Sequence, residues 1–467
     1  MPVWMQNVAC SITGLRMRRQ RYSDVFYQAF DFLKRSQWWC LEEMKDFQNR
    51  RLIKLVRHAY DSVPYYREIF QSLKITPDDI KSAEDLRHLP LLKKSTVRQR
   101  YDELQSRAWP ENKTIHTHTG GTTGTALKLI ADIGTEPWQW AVWWRHRNRF
   151  GLNVSDPFIV FGGRPVVPLR SFRPPIWRRN FPMRQTYVSV HHLSKNNLPV
   201  LADYLMRRKV VYYSGYPSGL YAVACYFLEN GKRLPNPPRL VVTGAETLLP
   251  HQRQAIKAAF DAEVADQYGA SEFCGNISEC EHHTYHVDME FGIIELLEDE
   301  RLPRGSRRIV CTGLWNMAMP LIRYDIGDIA TISDRKCSCG RESQTVERID
   351  GRIEFYIITP DGRQLGRLDF LFKDTAQIEE AQLVQDGLNH LKIRLVPSRS
   401  FSPEHEKSLL SDIRAFVGHA MTIEFEYLHE IPRESNGKFR QIVSQVYQDK
   451  YADRFSGFVQ PVEAPQQ

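Results

Sequence analysis

The stretch Thr117-His118-Thr119-Gly120-Gly121-Thr122-Thr123-Gly124-Thr125-Ala126-Leu127-Lys128 decides how this chain is read. Its first nine positions hold Gly120, Gly121 and Gly124 among five threonines. Such a loop offers unhindered backbone N–H groups and hydroxyls to an anion, above all a phosphate. A Walker A loop needs Gly-Lys-Ser/Thr at its end, whereas Gly124 is followed by Thr125. A dinucleotide fingerprint needs Gly-x-Gly-x-x-Gly, and the spacing here is Gly-Gly-x-x-Gly. Taken alone, the stretch also fits a Gly/Thr turn between two strands. The rest of the chain has to choose.

Outward from the loop, Pro137 to Phe150 has helical spacing and is rich in tryptophan and arginine. Trp138, Trp140, Trp143 and Trp144 fit a binding wall or, more commonly, a core face. Beyond it, Pro157–Phe161, Val210–Tyr213 and Arg239–Thr243 read as short buried strands. Helical patterns at 197–208, 218–230 and 251–260 separate or follow them, which predicts a layered α/β domain with a largely parallel sheet. From about Val287 the chain turns strand-rich, as in Gly292–Leu296 and Arg308–Thr312. Near Ile349-Asp350-Gly351-Arg352 it changes again, placing a boundary between a domain of residues 1–349 and a small α+β domain of residues 350–467. Before the loop, Phe26, Ala29, Phe30 and Leu33, then Leu52, Leu55, Val56 and Ala59, predict two or three amphipathic helices within a lead-in of residues 1–110. Pro64 ends the second of these. Thr76-Pro77-Asp78-Asp79 and Ser82-Ala83-Glu84-Asp85 are helix-start signals. The stretch from Val459 to Gln467 reads as a disordered tail.

A chain of 467 residues implies about two to four domains. No apolar run reaches membrane-spanning length, and Met1 to Thr13 lacks the charged start of a signal peptide. The expected location is cytoplasmic. Net charge is +8, from 63 Lys and Arg against 55 Asp and Glu, which favours anionic ligands. Arg16 to Arg21 reads as a solvated basic face. Arg164 to Arg184 mixes six arginines with Phe172, Trp177 and Phe181 and suits an anionic substrate, a cofactor phosphate or an anionic membrane surface. No nucleic-acid motif accompanies it. Eight irregularly spaced cysteines are not a disulfide framework.

Four later stretches carry chemistry. Gly244-Ala245-Glu246 ends a strand where a flat base could lie against bare backbone. Gln267-Tyr268-Gly269-Ala270-Ser271-Glu272 offers an aromatic face, a close-approach glycine and a carboxylate able to hold Mg²⁺. Asp325-Ile326-Gly327-Asp328 places a carboxylate suited to a ribose diol, and Ser435-Asn436-Gly437-Lys438 sets a lysine on a polar loop. Each alone fits an ordinary turn.

In this order, the loop and these four stretches resemble the adenylate-forming (AMP-forming) ligase superfamily. Within it, they and Pro64-Tyr65-Tyr66 resemble the phenylacetate-CoA ligase-like branch that includes CapK-type capsular polysaccharide proteins. The resemblance implies that Thr119, Gly120, Gly121, Thr122, Thr123 and Gly124 cradle the ATP phosphates. It implies further that Gly244, Ala245 and Glu246 line the adenine pocket with Tyr268 and Gly269, and that Glu272 ligates Mg²⁺. Asp328 would bind the ribose with help from Arg352, Lys438 would reach the α-phosphate, and the small domain would rotate between half-reactions. Where the family often carries an Asp pair after Gly-Arg, this chain has Ile353-Glu354-Phe355, so Asp350 becomes the candidate hinge.

Cys274, Cys280, His282, His283, His286, Cys337 and Cys339 supply enough donors for a tetrahedral Zn²⁺. The branch's pattern favours Cys280, His286, Cys337 and Cys339. The expected function is ATP-dependent activation of a carboxylic acid and acyl transfer to CoA. An amine or sugar acceptor is the alternative, and a non-catalytic nucleotide-binding protein the reading from another class. The acyl pocket is expected near Tyr213 to Pro217 and Trp138 to Trp144; Ser214 is no hydrolase nucleophile, since Gly-x-Ser-x-Gly is absent there. Neither the acid nor the oligomeric state is legible.

Overall fold

The computed structural model describes residues 1–118, 127–168, 171, 173–194, 196–248, 250–299, 305–333, 336–350, 357–361, 363–365, 377–398, 400–429, 431, 442–444 and 446. Five helices lead in: α1 (Val3–Arg21), α2 (Asp24–Ser36), α3 (Leu41–Ser62), α4 (Pro64–Leu73) and α5 (Lys94–Gln99). The predicted apolar stripes of α2 and α3 are the buried ones, Phe26, Ala29 and Leu33, then Leu52, Leu55, Val56 and Ala59. Val63 breaks the helix with extended backbone, and Pro64 opens α4, where its missing N–H costs nothing. Tyr66 then stitches the lead-in to the body: its buried hydroxyl donates to Pro320 O at 3.0 Å and accepts from Ile322 N at 2.9 Å.

Two expectations need correction here. Thr76 and Ser82 do form capping boxes with Asp79 and Asp85, but what they start is 3-10 helix of three and six residues. Arg16 to Arg21 is not uniformly solvated, because Arg21 pairs with Glu136 at 3.0 Å and lies over the Trp140 ring.

The loop's flanks form an antiparallel pair, β1 (Thr114–His118) and β2 (Lys128–Asp132), with Thr117 opposite Leu129. Asn316 ties this pair down by donating to Ile130 O and accepting from Asp132 N. Residues 119–126, and with them Thr119, Gly120, Gly121, Thr122, Thr123 and Gly124, lie outside the described residues.

Among the described residues, the body is one twelve-stranded sheet. Helix α6 (Thr135–Arg149) precedes β3 (Phe158–Gly162), β4 (Trp177–Asn180) and β5 (Gln185–Ser189). Next come α7 (Asn197–Met206), β6 (Tyr212–Gly215), α8 (Pro217–Glu229), β7 (Leu240–Gly244), α9 (Pro250–Phe260) and β8 (Glu263–Gly269). Strands β5, β3, β6, β7 and β8 are neighbours in that order and parallel. Both faces of this part are covered, as parallel sheets require. Ile159, Tyr213, Val241 and Val264 pack under α7 to α9, while the alternating Phe158, Tyr212, Leu240 and Val242 pack under α2 and α6.

The sheet continues antiparallel through β9 (Asn276–Glu279), β10 (Tyr285–Val287), β11 (Gly292–Leu297), β12 (Ser306–Gly313), β13 (Tyr324–Ile332) and β14 (Thr345–Ile349). The predicted change of character near Val287 falls inside this switch. After it, β15 (Ile357–Ile358) pairs with β16 (Gln364–Leu365). Strands β17 (Ile378–Gly387), β18 (His390–Pro397), β19 (Thr422–Tyr427) and β20 (Ile442–Ser444) form a second sheet in the order β19-β18-β17-β20. Helix α10 (Pro403–Val417) covers it, and Leu383, Ile393, Leu409, Ile413 and Phe416 make a separate apolar core. The architecture is mixed α/β with a small α+β unit at the C-terminal side. Among the described residues, no helix is long and apolar enough to cross a membrane.

Candidate active site and Cys/His cluster

A cavity of about 490 Å³ opens at the carboxyl ends of β3, β6, β7 and β8, where open α/β sheets bind ligands. Gly244, Ala245, Glu246, Tyr268, Gly269, Glu272 and Asp328 all line it. They come from three separate stretches, and the sheet order brings them together because β7 and β8 are adjacent while β13 returns near their ends. Bare backbone is a requirement at the floor. A Cβ on Gly244 would stand 2.7 Å from Gln267 O, and one on Gly269 2.9 Å from Asn276 Oδ1. Ala245 follows with φ of 69°, turning the chain out of the strand.

The carboxylates are held. Tyr268 donates its hydroxyl to Asp328 Oδ2 at 2.8 Å, so the aromatic face and this carboxylate are positioned as one unit. Burial, followed by the Asp328 charge, pushes the Tyr268 hydroxyl well above its ordinary range. Glu246 Oε2 accepts from Ser218 N at 3.2 Å at the start of α8. Glu272 accepts from the Tyr324 hydroxyl at 3.3 Å.

Several lining residues carried no sequence signal. Lys94, Arg147, Tyr187 and Asp266 belong to no motif, yet all border the cavity. Burial raises the Asp266 carboxyl to about 6, against hydrogen bonding from Thr243 and with a further push from Glu279. Its oxygens accept from Thr243 Oγ1 at 2.5 Å and Tyr285 OH at 3.0 Å. Of the four tryptophans, Trp143 alone lines the cavity, donating to Asn276 Oδ1 at 2.9 Å. Trp144 is buried in the core, and Trp138 stacks on Trp315 at 3.5 Å. Ser214, Gly215 and Tyr216 border the cavity, whereas Tyr213 is core.

Asp350 is anchored to the large sheet rather than the small one: its carboxylate accepts from Thr331 Oγ1 at 2.8 Å and Arg348 Nε at 2.5 Å. Arg352 and Lys438 lie outside the described residues.

Away from the cavity, Cys280, His286, Cys337 and Cys339 place one donor atom each within 4.8 Å of one another. Cys280 Sγ is 3.6 Å from Cys337 Sγ, and His286 Nε2 is 3.4 Å from Cys339 Sγ. Sulfurs about 2.3 Å from a tetrahedral zinc stand about 3.8 Å apart, so the donor set fits that ion. Ser343 bonds His286 Nδ1 at 3.1 Å and leaves Nε2 facing the thiols. Burial, with Arg149 and Arg341 nearby, lowers His286 to about 3, keeping the imidazole neutral. Backbone N–H groups of His282 and Cys339 point at Cys280 Sγ and Cys337 Sγ. The other candidates go elsewhere: His282 bonds Ser338, His283 bonds Glu279, and Cys274 sits in the buried core.

Comparison with known proteins bears on the family and the fold. The CapK C-terminal domain family matches residues 357–445. Protein CapK of Staphylococcus aureus is 24% identical over 453 residues, 95% of this chain and 98% of CapK. The phenylacetate-coenzyme A ligase of Thermus thermophilus is 25% identical over 349 residues, 68% of this chain and 72% of that enzyme. Along nearly its whole length the chain is thus similar to CapK, and over most of it to phenylacetate-CoA ligases, the branch its motifs resemble. Among solved structures, a 2-hydroxyisobutyryl-CoA ligase in complex with 2-HIB-AMP and CoA shares the fold, with TM-score 0.55, 18% identity, and 87% of this chain and 91% of that one covered.

Proposed function

We propose that this protein is an ATP-dependent ligase that activates a carboxylic acid as an acyl-adenylate and passes the acyl group to CoA. One observation carries the reading: Gly244, Ala245, Glu246, Tyr268, Gly269, Glu272 and Asp328 converge on one cavity at the strand ends. Its volume lies within the about 300–1,000 Å³ usual for small-molecule sites.

On this reading the base lies along Gly244 and Ala245 against Tyr268, and the Asp328 carboxylate accepts from the ribose hydroxyls. The carboxylate oxygen of the acid attacks the α-phosphorus, and the bond to the bridging oxygen breaks to release pyrophosphate. The protein's part is positioning and charge stabilisation. Glu272 would hold Mg²⁺, which when bound offsets phosphate charge. The loop at 119–124 would cradle the outer phosphates, and Lys438 would reach the α-phosphate. In the second step the thiol sulfur attacks the acyl carbon, the carbon–oxygen bond to AMP breaks, and the thiol proton passes to solvent. Asp350 would be the hinge between the two steps. The four-donor cluster would hold a structural Zn²⁺.

A second reading is transfer to an amine or hydroxyl of a sugar or amino acid, the acceptor that the resemblance to CapK-type capsular polysaccharide proteins implies. Pyrophosphate release from ATP across aryl, fatty, amino and uronic acids, with and without CoA, separates the readings. CoA-dependent turnover of any acid supports the first. Turnover that needs an amine or sugar supports the second, and silence across all acids returns the protein to nucleotide binding without catalysis.

A further inference from the structure

Helix α1 packs with the unexpected face inward. The side turned to the protein is polar or small: Gln6, Asn7, Cys10, Ser11 and Gly14 lie against β4. Gln6 Oε1 accepts from Arg178 Nε at 2.7 Å, Asn7 Oδ1 from Arg179 N at 2.9 Å, and Ser11 Oγ from Phe181 N at 3.3 Å. Gly14 is the buried residue of the helix. On the opposite side Met1, Trp4, Met5, Val8, Ile12 and Leu15 recur every three or four residues, and all are exposed, Trp4 by 66% and Ile12 by 67%. An amphipathic surface helix ordinarily turns such a stripe to the core.

The stripe's surroundings are predominantly basic, Glu136 being taken up by Arg21. Val3–Arg21 contains Arg16, Arg18, Arg19 and Arg21 and no Asp or Glu, and Arg16 and Arg19 extend the apolar side toward the helix's C-terminal end. In the neighbouring stretch 164–184, which has no carboxylate, Arg164, Arg173, Arg179 and Arg184 add positive charge, and Phe181 is exposed beneath Arg179. An apolar stripe bearing tryptophan, flanked by arginine, is the composition of a helix that lies in the plane of a bilayer interface. Like charge disfavours pairing with a second copy through the same face.

We infer that α1 docks this protein peripherally on an anionic lipid surface, with Trp4, Val8, Ile12 and Leu15 entering the headgroup region and Arg16 and Arg19 facing lipid phosphates. The inference is independent of the ligase reading. It also assigns a purpose to the basic, aromatic stretch around β4, of which Arg178 is buried and structural while Arg179 and Phe181 are not.

The test is co-sedimentation of the full chain with vesicles of phosphatidylcholine alone or with about one-third phosphatidylglycerol, at about 0.1 M salt. The expected result is at least about tenfold tighter binding to the anionic vesicles, weakened by added salt. Trp4→Ser with Ile12→Ser, and separately Arg16→Gln with Arg19→Gln, should each weaken it at least about tenfold. These side chains are exposed, so the circular dichroism spectrum and melting temperature should not move. Three outcomes overturn the inference: no co-sedimentation, binding indifferent to both double variants, or a stable dimer that Trp4→Ser with Ile12→Ser disperses, which would give the face to a second copy.

Discussion

Asp328 and Asp266 border the same cavity and differ in what surrounds them. Asp328 accepts from Tyr268, an arrangement that fixes its carboxylate toward the cavity. Asp328→Asn keeps the shape and removes the charge. If the carboxylate binds the ribose, the loss of a charge-assisted hydrogen bond, about 1.5–3 kcal/mol, should raise KM for ATP by roughly ten- to hundredfold. ATP–pyrophosphate exchange measures this, and an unchanged KM would remove Asp328 from the nucleotide site. Asp266 is a stability matter. Its carboxyl, raised by burial to about 6 from an ordinary 3.8, faces Thr243, Tyr285, Glu279 and, through Glu279, Arg253. Between those two values the folded protein keeps the proton that the unfolded chain releases. Stability from this group is therefore present below about pH 4 and is lost as pH rises through about 6, by about 3 kcal/mol in all. Urea unfolding from pH 4 to 7 should show that decline in the parent and not in Asp266→Asn. Parallel profiles would mean that the carboxyl is ionised throughout.

At the scale of elements, the Cys/His cluster joins the β9–β10 turn, through Cys280 and His286, to the connection from β13 to β14, through Cys337 and Cys339. These are the strands where the large sheet runs antiparallel, and β10 pairs with β14 directly beside the cluster, His286 opposite Thr345. A bound zinc would clip two connections about 50 residues apart in sequence, so chelation should act on folding more than on chemistry. Protein purified without chelator should carry about one zinc per chain. Removing it, or making Cys339→Ser, should lower the melting temperature by several degrees. Negligible zinc with no thermal response to chelator would leave the four residues as a thiol and imidazole cluster only.

The elements themselves were legible where burial follows pattern. Strands at Leu240–Gly244 and Tyr212–Gly215 and helices at Pro217–Glu229 and Pro250–Phe260 lie within a few residues of the predicted segments, because both faces of the parallel sheet are covered and the runs are continuously apolar. Helix α1 was not legible. Cys10-Ser11-Ile12-Thr13-Gly14 has low helix propensity, and the stripe that periodicity would assign to a core faces solvent instead. The site divides in the same way: Tyr268, Glu272 and Asp328 sit in ordered motifs, whereas Lys94 and Asp266 reach the cavity through tertiary placement that no local pattern encodes.

The molecule as a whole is a large sheet domain and a small unit with its own core, joined just after β14. The cavity is lined by residues of the large domain, up to Ile349. Between the two, Arg363 Nη1 donates to His191 O at 3.4 Å and the Phe416 ring stands edge-on to His191 with centroids 5.5 Å apart. Units of one chain move relative to each other unless their interface is large and hydrophobic. If the small unit contributes Lys438 to adenylation and then rotates away, the lysine serves one half-reaction. Lys438→Ala should therefore lower acyl-adenylate formation by at least about a hundredfold, the scale of losing a charged group that acts on the transition state. Transfer from a supplied acyl-adenylate to CoA should stay within about threefold of the parent, because no lysine contact to the leaving AMP is required there. Single-turnover assays of each step, run separately, read the two effects. An equal loss in both would place Lys438 in a site that does not change between steps, and with it would go the role assigned to Asp350, since a hinge that leaves the catalytic lysine in position for both reactions has nothing to switch.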